Sequence, residues 1–170
     1  ENPGIEYPVL GLLVSGGHTS LYLIREPLHY EILARTRDDA AGEALDKVAK
    51  FLALGYPGGP IIEKLGKNGD PDRFAYSIPR VKNGGLDFSF SGLKTAALRH
   101  IRESGMTGGS PDLADFLASF ENAVVRCLMS RVAEAFALVS PRSLVLCGGV
   151  ARNSRLRTAF AAFAAGQGCS

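Results

Sequence analysis

The sequence contains no tryptophan, two methionines, three histidines and three cysteines in 170 residues. Cys127, Cys147 and Cys169 are too few and too scattered for a disulfide framework, and no CxxC pair exists. A reduced, cytoplasmic protein is the expectation. His18, His29 and His100 match no metal-ligand spacing, and HExxH, HxxxH and Cys/His clusters are all missing, so no self-contained metal site is expected. A GxSxG elbow and a Walker A loop are missing too, which leaves conventional serine hydrolases and P-loop enzymes without support. No apolar run approaches the roughly 18 residues of a membrane span. Glu1-Asn2-Pro3-Gly4 carries neither a basic flank nor a hydrophobic signal core. The net charge of +2 is too small to demand a nucleic-acid partner and does not exclude one.

What is present is an ordinary globular composition, with 46% hydrophobic and 21% charged residues, enough for one domain and unlike a disordered chain or a coiled coil. Glycine is abundant, 20 of 170 against an average of roughly 7%. Apolar runs at 9–14 and 21–24, joined by a Gly-Gly turn, read as a β-hairpin, with 30–34 as a third strand. The pattern turns helical over 38–54, with Asp38 as N-cap, and must stop at Gly55-Tyr56-Pro57-Gly58-Gly59-Pro60. A short helix from Pro60 to about Lys67 and an irregular stretch over 68–87 follow. Helices are expected over 89–102 and from Ser110-Pro111-Asp112 to about Val139, with Ser110 as the second N-cap. A buried strand at 143–147, a Gly-Gly turn and a helix over 153–164 close the chain. Strands first, helices next and a strand–turn–helix unit last fit an α/β or α+β domain.

Three groups of residues carry possible chemistry. Ser15-Gly16-Gly17-His18-Thr19 sits at a hairpin tip, where consecutive amides can meet a phosphate or acyl phosphate, or simply make a turn. Gly148-Gly149-Val150-Ala151-Arg152-Asn153 joins a strand to a helix, an arrangement used against nucleotides and equally for tight packing. Arg152, Arg155 and Arg157 after it suit phosphates or a solvated face. Asp39, Glu43 and Asp46 share one helix face, with no neutralisation expected from Lys47 or Lys50. Such a stripe suits ribose hydroxyls or a metal, or is an acidic solvent face.

Six motifs in fixed order, VSGGHTSL, DDAAGEALDKVAK, YPGGP, LDFSFSGLKTA, ASFENAVV and LCGGVARNSRLR, resemble the TsaD family. These are the tRNA adenosine threonylcarbamoyltransferases, which also carry the older label of O-sialoglycoprotein endopeptidase or glycoprotease. The resemblance implies an α/β fold, a ribonuclease-H-like lobe of the sugar kinase, heat-shock chaperone and actin (ASKHA) superfamily with an inserted helical segment. It divides the chain into a phosphate hairpin (9–24), a helical insertion (38–87), helices (89–139) and an adenosine-side strand–turn–helix (143–164). Where that superfamily commonly has an acidic residue before the hairpin glycines, this chain has Ser15, as TsaD proteins do.

The resemblance also implies a substrate- and nucleotide-binding set: Leu13, Val14, Ser15, Gly16, Gly17, Asp46, Gly59, Gly148, Gly149 and Asn153. Asp46 would accept from ribose hydroxyls, and the amides of Gly16 and Gly17 would hold the phosphate or carbamate end. No residue stands out as a general base; His18, beside the hairpin, is the one candidate. The family's first lobe with its HxxxH metal pair is expected before residue 1, and its metal-ligating Asp after residue 170. No cofactor is therefore expected in this stretch, and one divalent metal, iron or zinc, in the whole enzyme. Implied partners are threonylcarbamoyl-adenylate or another adenine nucleotide, tRNA, and TsaB-like and TsaE-like proteins. Arg80, Lys82, Lys94, Arg99 and Arg102 are candidates for the tRNA backbone. Self-association through uncovered apolar surface is a further expectation. A glycoprotease and a noncatalytic nucleotide-binding partner module are the alternative functions.

Overall fold

The computed structural model describes residues 4–79 and 85–169. Four strands form one sheet: β1 (Val9–Val14), β2 (Thr19–Glu26), β3 (His29–Arg35) and β4 (Ser143–Cys147), in the spatial order β3-β2-β1-β4. The first three form an antiparallel meander. β4 runs parallel to β1, with Leu144 opposite Leu10 and Leu146 opposite Leu12. A parallel neighbour requires a crossover connection. Helices α1 (Ala41–Phe51), α2 (Gly58–Gly66), α3 (Ser91–Ser104) and α4 (Leu113–Val139) supply it. A single 3₁₀ turn (Gly149–Arg152) and α5 (Ser154–Gln167) follow β4.

Side chains alternate across a strand. Leu10, Leu12 and Val14 therefore share one face of β1, and they enter a core with Leu45, Ile62, Leu93, Phe116 and Leu156, one from each helix in turn. Phe88 and Phe90 are fully buried in the same core, each burial worth roughly 1.5–3 kcal/mol. The opposite sheet face carries Leu13, Tyr22, Tyr30 and Ile32, and Tyr30 and Ile32 are 66% and 54% exposed. Among the described residues, no helix is long and apolar enough to cross a membrane. Burial pushes the Cys127 thiol up to about 11, so it packs as a neutral side chain rather than acting as a nucleophile.

The expected helices are all present, but their capping differs. The residue at the N-cap of α1 is Ala40, not Asp38, and α1 is framed instead by the Thr19 hydroxyl, which accepts from the Ala41 amide at 2.9 Å. Asp38 caps α3: its carboxylate accepts from the amides of Phe90 (2.8 Å) and Ser91 (3.2 Å) and from the Ser89 hydroxyl. Ser110 accepts from the Thr107 amide and so closes the loop ahead of α4, whose N-cap position falls to Asp112. α2 begins at Gly58, two residues earlier than expected, because Asp46 accepts from the Gly58 amide.

Two of the three carboxylates of the acidic stripe, Asp39 and Glu43, are also neutralised, contrary to expectation. Lys47 reaches both Asp39 (2.7 Å) and Glu43 (2.8 Å), and Lys94 of α3 meets the other Asp39 oxygen at 2.6 Å. Burial raises the Asp39 carboxyl, but the hydrogen bonds and charges of Lys47 and Lys94 outweigh that and hold it below its ordinary value. A depressed carboxyl contributes stability above its unfolded value and loses it as the pH falls through the folded one. Urea titrations should therefore show the native chain losing more stability between about pH 5 and pH 3 than Asp39→Asn, which starts lower and has a flatter acid limb. Parallel acid limbs would show that the cluster contributes nothing.

Candidate functional site

An open cleft of about 600 Å³ lies where the hairpin tip, the start of α1, the loop before α2 and the turn after β4 converge. Its walls include Gly16, Asp46, Gly59, Gly149 and Asn153. These five residues from four separated motifs are half of the substrate- and nucleotide-binding set expected from the sequence. Two short backbone approaches shape the cleft. A methyl group at Gly42 would lie 2.6 Å from the Ser15 carbonyl oxygen and 2.7 Å from the Gly16 Cα. Gly148 has φ +102°, and a Cβ there would overlap the Val14 carbonyl oxygen. The hairpin tip is thus held between the first turn of α1 and the turn after β4. It is closed on itself by the Ser15 amide donating to the His18 carbonyl at 2.8 Å and the His18 amide donating to Ser15 Oγ at 3.0 Å. The Gly42 amide also donates to the Ser15 carbonyl at 3.2 Å.

Of the remaining expected site residues, Val14 is fully buried and Leu13 half-buried beneath the tip, where they support rather than line the cleft. Ser15 is half-buried, and Gly17 and His18 are exposed at the tip but outside the cleft wall. Asp46 donates nothing and accepts from the Gly58 amide through Oδ1 at 2.7 Å. Among the described residues its Oδ2 has no hydrogen-bond partner, which leaves one carboxylate oxygen for a ligand at the cleft. Asn153 is buried: its Oδ1 accepts from the Leu156 amide at 2.9 Å as N-cap of α5, and its Nδ2 donates to Glu121 Oε1 at 2.6 Å.

Several contributors carry no signal in a local reading of the sequence. Glu121, 4% exposed in the middle of α4, holds Asn153 and also accepts from Arg155 Nε at 2.9 Å. Its one clue is a charge inserted into the apolar stripe of α4. Glu63 of α2 lines the cleft and accepts from the Ser154 amide at 2.9 Å and from the Ser154 hydroxyl. The arginine trio divides: Arg152 lines the cleft, Arg155 pairs with Glu121, and Arg157 is exposed. Lys94, expected on a nucleic-acid surface, is instead 20% exposed and ion-paired to Asp39. Arg102 lies over the Phe51 ring at 5.0 Å, and Arg99 is exposed beside a second groove. Arg80 and Lys82 lie outside the described residues.

The chemistry that this arrangement supports is binding of an anionic ligand with hydroxyl groups. The first turn of α2 and the N-cap residue of α5 line the cleft, near the positive ends of those helices, Arg152 adds a cation, and Asp46 supplies an acceptor. Among the described residues no three His, Cys, Asp or Glu side chains are grouped to hold a metal ion. Asp39 and Glu43 are engaged by lysines, so the acidic stripe does not fit a metal. The cleft depends on Gly148, because its backbone conformation is essentially confined to glycine. Gly148→Ala is expected to cost about 3 kcal/mol or more in urea denaturation and to broaden the amide resonances of Val14 and Gly16. A variant as stable as the native chain would remove the role given to this contact.

The profile of the family described as TsaD, tRNA N6-adenosine threonylcarbamoyltransferase, matches residues 1–169. A tRNA N6-adenosine threonylcarbamoyltransferase of Anaeromyxobacter dehalogenans is 53% identical over 159 residues, covering 94% of this chain and 47% of its own length. One from Desulfitobacterium hafniense is 47% identical over 157 residues, covering 92% and 46%. The chain therefore spans about half the length of these relatives. Among solved structures, HypF of T. kodakarensis aligns with a TM-score of 0.56 at 20% identity over 84% of this chain and 17% of its own. The activator of the 2-hydroxyisocaproyl-CoA dehydratase from Clostridium difficile, solved with bound ADPNP, aligns with a TM-score of 0.51 at 20% identity over 93% and 52%. These likenesses show that the α/β fold of the chain is shared with those proteins. Fold and sequence agree, and the chain belongs to the TsaD family, the tRNA N6-adenosine threonylcarbamoyltransferases.

Proposed function

We propose that this chain forms one wall of an adenine-nucleotide site in an enzyme that transfers a threonylcarbamoyl group from threonylcarbamoyl-adenylate to the tRNA adenosine beside the anticodon. The observation that carries the reading is the convergence of Gly16, Asp46, Gly59, Gly149 and Asn153 on one cleft. Gly16 and Gly17 hold the phosphate or carbamate end by their amides, with Leu13, Val14 and Ser15 fixing the tip beneath them. Asp46 Oδ2 takes the ribose hydroxyls. The turn at Gly148 and Gly149 lies along the adenosine, and Asn153 acts through the start of α5 that it caps. The ADPNP bound in the dehydratase activator, a protein of the same fold, supports an adenine nucleotide as the ligand class.

In this reading a divalent metal, iron or zinc, is supplied by the rest of the enzyme. Arg99 and Arg102 face the tRNA backbone, TsaB-like and TsaE-like proteins are partners, and the setting is cytoplasmic. The open sheet face around Tyr22, Tyr30 and Ile32 supports the expected self-association of this chain on its own. The older glycoprotease label finds no support at the hairpin. Ser15 Oγ meets the backbone of His18 rather than its ring, so no activated nucleophile is formed there.

Titration of the isotopically labelled chain with ATP should move the amide resonances of Gly16, Gly59 and Gly149. Asp46→Ala and Asn153→Ala should each weaken binding by about fivefold, the equivalent of about one hydrogen bond. Shifts confined to residues far from the cleft would sink the assignment. Assayed by itself, the chain should show neither threonylcarbamoyl transfer to tRNA nor glycoprotein cleavage, and elemental analysis should find no stoichiometric iron or zinc. The physical reason is that losing even one electrostatic stabiliser costs roughly two orders of magnitude or more in rate. Transfer, cleavage or one tightly bound metal per chain would show a self-contained site.

A further inference from the structure

Tyr56 is 83% exposed, although it stands in a loop held on both sides. Before it, the amides of Ala53 and Leu54 donate to the carbonyls of Lys50 and Ala49, each at 3.0 Å. After it, the Gly58 amide is tied to Asp46 at 2.7 Å. The ring therefore projects from a preorganised loop, which lowers the ordering cost of any contact it makes. It also occupies a junction. Tyr56 and Asp46 line the nucleotide cleft and, on its other side, a groove of about 610 Å³ formed by α1 and the loop after it. Among the described residues, Tyr56 is the aromatic side chain of the cleft wall. The groove holds Lys47, already paired with Asp39 and Glu43, and Lys50, which among the described residues has no ion-pair partner.

From this geometry we propose that Tyr56 is the stacking platform for the acceptor nucleobase, with the unpaired RNA nucleotide entering through the groove and Lys50 meeting its phosphate. The inference rests on the transfer reading given above. A group transfer between two nucleotides requires donor and acceptor to meet at one mouth, and a side chain shared by both cavities is at that mouth. An exposed aromatic ring offers a face to any splayed base, and the leftover lysine offers a charge to its backbone. No bond is made or broken by Tyr56. It is a binding and positioning residue.

The chain has no tryptophan, so Tyr56→Trp introduces a single indole. The probes are a short single-stranded ribo-oligonucleotide with a central adenosine and the same oligonucleotide abasic at that position. The adenosine probe should quench the indole saturably, and the abasic probe should bind about fivefold more weakly or worse. By NMR titration, Tyr56→Phe should bind the adenosine probe as the native chain does and Tyr56→Ala about fivefold more weakly, while Tyr56→Ala keeps the ATP-induced shifts at Gly16 and Gly149. Equal affinity for the two probes, no binding of either, or a folded Tyr56→Ala that binds RNA like the native chain would overturn the proposal. Failure of ATP to bind the native chain would instead sink the nucleotide-site reading beneath it.

Discussion

The tip of the first hairpin can reach the cleft only because two other backbones come within contact distance of it. At Gly42 the first turn of α1 lies against the carbonyl of Ser15, and at Gly148 the turn after β4 lies against the carbonyl of Val14. Any side chain at either place would drive the elements apart. The consequence is a cleft in which the backbone of Gly16, Gly42, Gly59 and Gly149 forms part of the wall, beside Asp46, Tyr56, Glu63 and Arg152. Backbone amides are fixed in direction by the secondary structure that carries them, and so they are suited to a charged ligand that must be held in one orientation. The parallel pairing of β4 with β1 serves the same end, since it brings the Gly148 turn to the same end of the strands as the hairpin tip.

Around that frame, carboxylates act as internal fasteners. Asp38 of the loop before α1 caps α3, Asp46 of α1 ties down the start of α2, Glu63 of α2 holds the start of α5, and Glu121 of α4 holds Asn153 and Arg155. Each satisfies amides or a cation that would otherwise be left without partners where two elements meet, and an unpaired buried polar group is costly. The starts of α2 and α5 are thereby held to α1, α2 and α4. At the cleft and the adjoining groove, the charged groups left for a ligand are chiefly Arg152, Lys50 and one oxygen of Asp46.

The chain presents an open cleft and one well-covered sheet face. Leu10, Leu12 and Val14 are buried under five helices, whereas Tyr30 and Ile32 on the other face lie open. The second face is open at Tyr30 and Ile32, in a chain that spans about half the length of its relatives.

By itself the sequence determined the strands at 9–14 and 143–147, the long helix ending before Pro141, the glycine turns and, through the order of six motifs, the family. These depend on periodicity and on the φ limits of glycine and proline, which act over a few residues. Tertiary structure decided which element each polar side chain serves. Asp38 has the right composition for capping the helix next to it, yet it caps one whose first residues lie 52 and 53 positions away. Lys94 appears on a helix as a surface cation and is drawn into the Asp39 pair, and Glu121 reaches Asn153 across 32 residues. Hydrogen bonds and ion pairs select partners by distance in space, and a local pattern carries no information about that distance. Glycine at 42 likewise appears as an unfavourable choice in a helix until the hairpin tip is packed against it.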